Sequence, residues 1–102
     1  MRLLGRASFI ERESLPADFR TILLVKYTRY FQAIRTRPDR AMIRDEWIER
    51  VIRHPVKQVV QGDGRIRRWA PIAEMDGKYL RVILLPDGRT VPNAFFDRSF
   101  KP

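Results

Sequence analysis

Two arginines occupy positions where the alternation of a strand would place apolar side chains. In the stretch GDGRIRRWAPI, residues 62–72, a regular strand puts Arg65, Arg67, Trp69 and Pro71 on one face. Ile66, Arg68, Ala70 and Ile72 share the other, so Arg68 belongs to a mostly apolar row. In KYLRVILL, residues 78–85, Arg81 falls in the row of Tyr79, Ile83 and Leu85, opposite that of Lys78, Leu80, Val82 and Leu84. A buried guanidinium needs a partner or a wet cleft. Arg68 could pair with Asp63, Glu74 or Asp97, or a bulge near Pro71 could rotate it outward. The sharper expectation is that Arg68 and Arg81 converge in a shallow anion site, with Arg67 and Arg89 at its edge and phosphate as the anion. Trp69 and Tyr79 add aromatic surface that either stacks on bases or completes a small core.

Further candidates are sparse. His54 is the only histidine; before Pro55 at a helix end, it is either a cap or surface group or an acid–base group. The last run, NAFFDRSFK, reads as a final strand with Phe95 and Phe96 in the core and Asp97 orienting a neighbouring arginine. Arg98 lies in the same run and joins Arg65, Arg67, Trp69 and Arg89 as a candidate nucleic-acid contact. There is no Walker loop, dinucleotide-binding glycine pattern or GxSxG. With one histidine and no cysteine, a metal site would rest on carboxylates alone. Those carboxylates, Asp45, Glu46 and Glu49 above all, read as a helix surface. Neither a metal nor a cofactor is expected.

Charge narrows the partner. Over 102 residues the chain carries a formal net charge of +9. Such an excess on a small domain suits a nucleic acid or an acidic protein. Only Lys26, Lys57, Lys78 and Lys101 are lysines among 21 basic residues, which reflects either an arginine-rich composition or a need for bidentate phosphate binding. The 44% hydrophobic and 32% charged shares fit a folded globular domain and exclude a disordered chain. No apolar run approaches the ~20 residues that span a bilayer. The start MRLLGRASFIERE is a poor secretory signal, so a cytoplasmic location without membrane attachment is the expectation.

The elements that must position these groups follow from punctuation and periodicity. Residues 1–19 read as a weakly packed N-terminal extension, and 20–102 as one domain. RTILLVKYT, residues 20–28, predicts a strand. Tyr30, Phe31 and Ile34 predict a short helix capped by Thr28 and broken by TRPDR. A second helix is expected over about 42–53, where Ile43, Trp47, Ile48, Val51 and Ile52 make an apolar stripe. Asp45 and Glu46 near its start and Arg50 and Arg53 near its end suit the helix dipole, and Pro55 ends it. Beyond residue 56, GDG, MDGK and PDGR separate β-rich runs at hairpin spacing. The predicted order is β-α-α-β-β-β-β, an α+β domain with two helices packed on an antiparallel meander.

The run DEWIERVIRHPVKQVVQGDGRIRRWAPI, followed by KYLRVILL and NAFFDRSFK, resembles a group of small bacterial proteins that look like relatives of the BrnT branch of the RelE-like toxins. The likeness covers about residues 22–101. It implies a metal-independent endoribonuclease toxin acting on RNA, neutralised by a small acidic antitoxin that covers the basic sheet. By position, Arg68 and Arg81 would hold the scissile phosphate, with His54 or Tyr79 transferring protons. Two rivals share the same surface: a non-catalytic RNA- or DNA-binding module, and a basic accessory subunit for an acidic protein.

Overall fold

The computed structural model describes residues 25–102. The expected extension over 1–19, and residues 20–24 of the first expected strand, lie outside them. Within the described part of that strand only β1 (Lys26–Tyr27) is extended and paired. Thr28 then caps α1 (Arg29–Ile34), its Oγ1 accepting from the Phe31 N–H at 3.0 Å. Phe31 and Ile34, three residues apart, turn one face of this helix into the core.

The break at TRPDR holds an additional helical turn, α2 (Pro38–Ala41). Pro38 starts it because proline lacks an N–H that the first helical position would leave unused, and its fixed φ suits a helix. The following helix consequently begins later than expected: Arg44 is extended, and α3 is Asp45–Arg53. Ile43 is buried as the stripe anticipated, although it precedes the helix. Trp47, Ile48, Val51 and Ile52 form the buried face of α3, and His54 and Pro55 end it.

The remaining chain forms a four-stranded antiparallel sheet in the order β2-β3-β4-β6, from β2 (Lys57–Val60), β3 (Ile66–Ile72), β4 (Lys78–Leu84) and β6 (Asn93–Phe96). The turns match their residues. Asp76 and Gly77 both adopt left-handed backbone, at φ 57° and 75°, which the Asp-Gly pair tolerates. Two expected strands are shorter than their sequence runs. The run RIRRWAPIAEM, residues 65–75, is a strand only over Ile66–Ile72 and ends in a 3₁₀ turn, Ala73–Met75. RTVPNAFF splits at Pro92 into β5 (Thr90–Val91) and β6, because proline has no N–H for a ladder. β5 pairs in parallel with β1, so the first strand joins a small ladder of its own and not the antiparallel sheet. The architecture is α+β.

Among the described residues, α1 and α3 cover one face of the sheet, and α2 borders its β6 edge. α1 and α3 pack with Ala70, Ile72, Leu80, Val82, Leu84 and Ala94 in a single core cluster. Trp69 is buried yet stands outside that cluster, on the opposite face of the sheet. Among the described residues no helix is long and apolar enough to cross a membrane.

Candidate nucleic-acid interface

Register decides which side chains can meet, since directly opposed residues of an antiparallel pair share a face. Arg68 opposes Val82, whereas Trp69 opposes Arg81. Arg68 therefore stands on the helix-covered face and Arg81 on the open one. The expected convergence of the two arginines does not occur. Each row was assigned correctly within its own strand; the pairing between strands separates them.

Arg68 is held by neutral acceptors. Its Nε donates to Gln58 Oε1 at 2.6 Å and its Nη1 to the Ile52 carbonyl at 2.9 Å. Gln58 is its direct cross-strand neighbour, and Ile52 lies in the last turn of α3, whose final carbonyls lack helical partners. None of the three carboxylates suggested for it is its partner, and no bulge turns it: the register runs unbroken through Pro71↔Tyr79. Glu74 instead forms a two-pronged pair with Arg50, at 3.0 and 3.1 Å, which holds the Glu74 carboxyl at about 2. Burial lowers the pKa of Arg68, but a guanidinium remains charged. His54 is the exposed cap of α3, two residues beyond Ile52.

Arg81 has a carboxylate. Its Nε and Nη2 donate to Asp97 Oδ2 at 3.1 and 2.8 Å, and Trp69 Nε1 donates to the same oxygen at 3.0 Å. Asp97 Oδ1 accepts from the Ser99 N–H and Oγ–H. Burial alone would raise the Asp97 pKa; the bonds from Trp69, Ser99 and Arg81 outweigh it and hold the carboxyl well below its usual range. Residues 97–100 do not continue the last strand, which ends at Phe96. They turn back over the open face, where the Phe100 ring stacks on Trp69 at 4.9 Å and tilts against Tyr79. Trp69 is thus covered by its own chain and is not a free stacking platform. Phe95 lies between Arg40 and Arg81, whose guanidinium carbons sit 5.3 and 4.9 Å from its ring centre. Phe96 alone of this pair packs against the core, where both phenylalanines were expected.

Among the described residues, the open face of β2 and β3 also carries Arg67 and Lys57. Arg67 opposes Val59 on one side and Ile83 on the other, and Lys57 opposes Trp69. Neither has a carboxylate partner among the described residues, and Arg67 Nε is buried without a hydrogen-bond partner. Arg65 lies at the Gly62–Gly64 turn, 3.7 Å from Asp63. Arg89 stands apart from this group, in the turn before β5, where its carbonyl accepts from the Lys26 N–H. Arg98 is exposed and borders a groove of about 890 Å³ along β6, with Arg40, Lys78, Tyr79, Phe95 and Phe100.

The four residues suggested for catalysis thus divide in two: Arg68 and His54 at the end of α3, Arg81 and Tyr79 on the open face. Lys57 and Phe100 were not singled out from sequence. Counting back across the GDG hairpin would have paired Lys57 with Trp69; nothing local signals that Phe100 folds back. Among the described residues no group of three or more His, Asp or Glu side chains is placed to hold a metal ion. No family model, curated protein or solved structure matches the chain.

Proposed function

We propose that the protein is RNA-directed and toxin-like, holding RNA across the sheet face opposite α1 and α3. The carrying observation is the pair Arg67 and Lys57, two cations on that face without a carboxylate partner among the described residues. Cations of this kind bind phosphates, and release of the condensed counterions supplies affinity. The groove beside β6 adds Lys78 and Arg98 next to Tyr79 and Phe95, a mixture of cation and ring that suits unstacked bases, while its Arg40 is paired with Asp39. The resemblance to BrnT-type toxins favours RNA among anions, and a short acidic antitoxin is the partner that it implies.

Cleavage is the stronger form of this reading. In it Tyr79 transfers a proton at the ribose 2′-hydroxyl or the leaving oxygen, and the free cations of the same face hold the phosphates. A single experiment separates the forms: purified protein is titrated into labelled single-stranded RNA at several salt concentrations, and the RNA is then run on a denaturing gel. Shortened RNA supports the ribonuclease, and expression is then expected to arrest growth. Intact RNA with strongly salt-dependent binding supports a non-catalytic module. No binding even at low salt refutes the proposal.

A further inference from the structure

Among the described residues, strand β2 has no neighbouring strand on its outer edge. Lys57, Gln58, Val59 and Val60 are all exposed, and Val56, Val59 and Val60 are 56%, 38% and 60% accessible. Exposed valines on a sheet edge are a template for another strand, which proteins ordinarily block with charge, proline or a covering element. Here the strand carries one charge, Lys57, and no proline. The backbone is equally available. The Gln61 N–H donates to the Arg65 carbonyl at 2.8 Å, which sets the alternation of the β2–β3 ladder. Lys57 and Val59 therefore turn their N–H and C=O groups toward β3, and Gln58 and Val60 turn theirs outward.

Charge selects the occupant. Lys57, Arg65 and Arg67 lie on or beside this edge, and the neighbouring carboxylate, Asp63, is engaged by the Arg65 N–H and guanidinium. A second copy would bring like charges together along the seam, on a chain whose net charge is +9. We propose that β2 is a docking edge at which an extended acidic segment of a partner protein adds as a further strand. Its main chain bonds to Gln58 and Val60. Its acidic side chains lie on the open face toward Lys57 and Arg67, and its apolar ones lie on the other face against Val60. The inference shares Lys57 and Arg67 with the RNA reading and rests in addition on the unpaired edge of β2, which RNA binding does not require.

The test is a titration of isotopically labelled full chain with a capped peptide of about six alternating valines and glutamates, followed by amide NMR. Saturable shifts centred on Gln58 and Val60, with slowed exchange of both amides, are expected. Val60→Pro removes only an outward N–H, which an edge strand tolerates, and is expected to weaken binding about tenfold or more. Lys57→Glu, at an exposed position, is expected to weaken the glutamate peptide and to admit a lysine counterpart that the wild type rejects. Absence of shifts at about 1 mM peptide, equal binding of the lysine peptide by wild type, or indifference to both substitutions overturns the proposal. So does a dimer in sedimentation experiments that Val60→Pro abolishes, which would assign the edge to a second copy.

Discussion

Arg68 and Arg81 look alike in sequence and are used differently by the fold. Both interrupt apolar rows of adjacent strands, yet one lies under α3 and the other on the open face. Arg68 joins two neutral acceptors, Gln58 Oε1 and the Ile52 carbonyl, at the negative end of the helix dipole. Arg81 joins Asp97, which also receives Trp69 and Ser99. In both cases the anomaly marks a cation that the structure consumes. Among the described residues of β2 and β3, the cations left for an outside anion, Arg67 and Lys57, sit in rows that looked ordinary. A guanidinium in an apolar row is therefore a better pointer to internal wiring than to a binding site here.

The largest expected effect separates the two arginines by the charge of their partners. Asp97→Ala leaves Arg81 mostly buried without its carboxylate, and strips Trp69 Nε1 and Ser99 of their acceptor. A loss of about 3–5 kcal/mol is expected from urea denaturation. Arg68→Ala leaves a neutral carbonyl and a side-chain amide unsatisfied, for which about 1–3 kcal/mol is expected. If Arg68→Ala costs more than Asp97→Ala, the contrast between an ion-paired and a neutrally capped arginine fails.

Acidification sharpens the same contrast. The folded-state pKa of Asp97 is depressed, so its contribution is complete above the unfolded carboxyl range. It is lost as pH falls through that range toward the folded value. Wild-type stability should accordingly decline from about pH 5 downward, and Asp97→Ala should show a shallower decline. Arg68→Ala should keep the wild-type slope, because neither of its acceptors titrates. Denaturation midpoints of the three proteins, collected across this range, make the comparison; parallel curves for wild type and Asp97→Ala would remove Asp97 as the source.

The sequence made the hairpins legible because their turns are chemically explicit, as with Asp76-Gly77, whose left-handed backbone is what that pair permits. The stripe of α3 and the Thr28 cap were legible for the same reason: each depends on neighbours within a few residues. Strand alternation correctly placed Arg68 among apolar residues and Arg67 with Trp69. What it could not supply was the register between β3 and β4, a long-range choice that decides whether two rows share a face. The return of residues 97–100 was hidden for a similar reason. Phe100 finds Trp69 only after three strands have been assembled, and no local signal distinguishes it from a strand residue.

The smallest expected change in stability belongs to Arg67, and it carries the functional side of the comparison. Its guanidinium makes no ion pair among the described residues, so Arg67→Ala should alter stability by only about 0.5 kcal/mol. If the open face binds RNA, the same substitution should weaken binding uniformly across sequences. It should also reduce the slope of log affinity against log salt by about one phosphate contact. Arg68→Ala, assayed at a temperature where it remains folded, should leave that slope unchanged because its guanidinium is spent beneath the sheet. The informative measurement is thus a pair of salt titrations against one RNA, monitored by anisotropy. Equal loss of slope in both variants would mean that Arg68 reaches phosphate despite its position, and would return the site to the other face of the sheet. Loss in Arg67→Ala alone places the RNA contact on the face that the helices leave open.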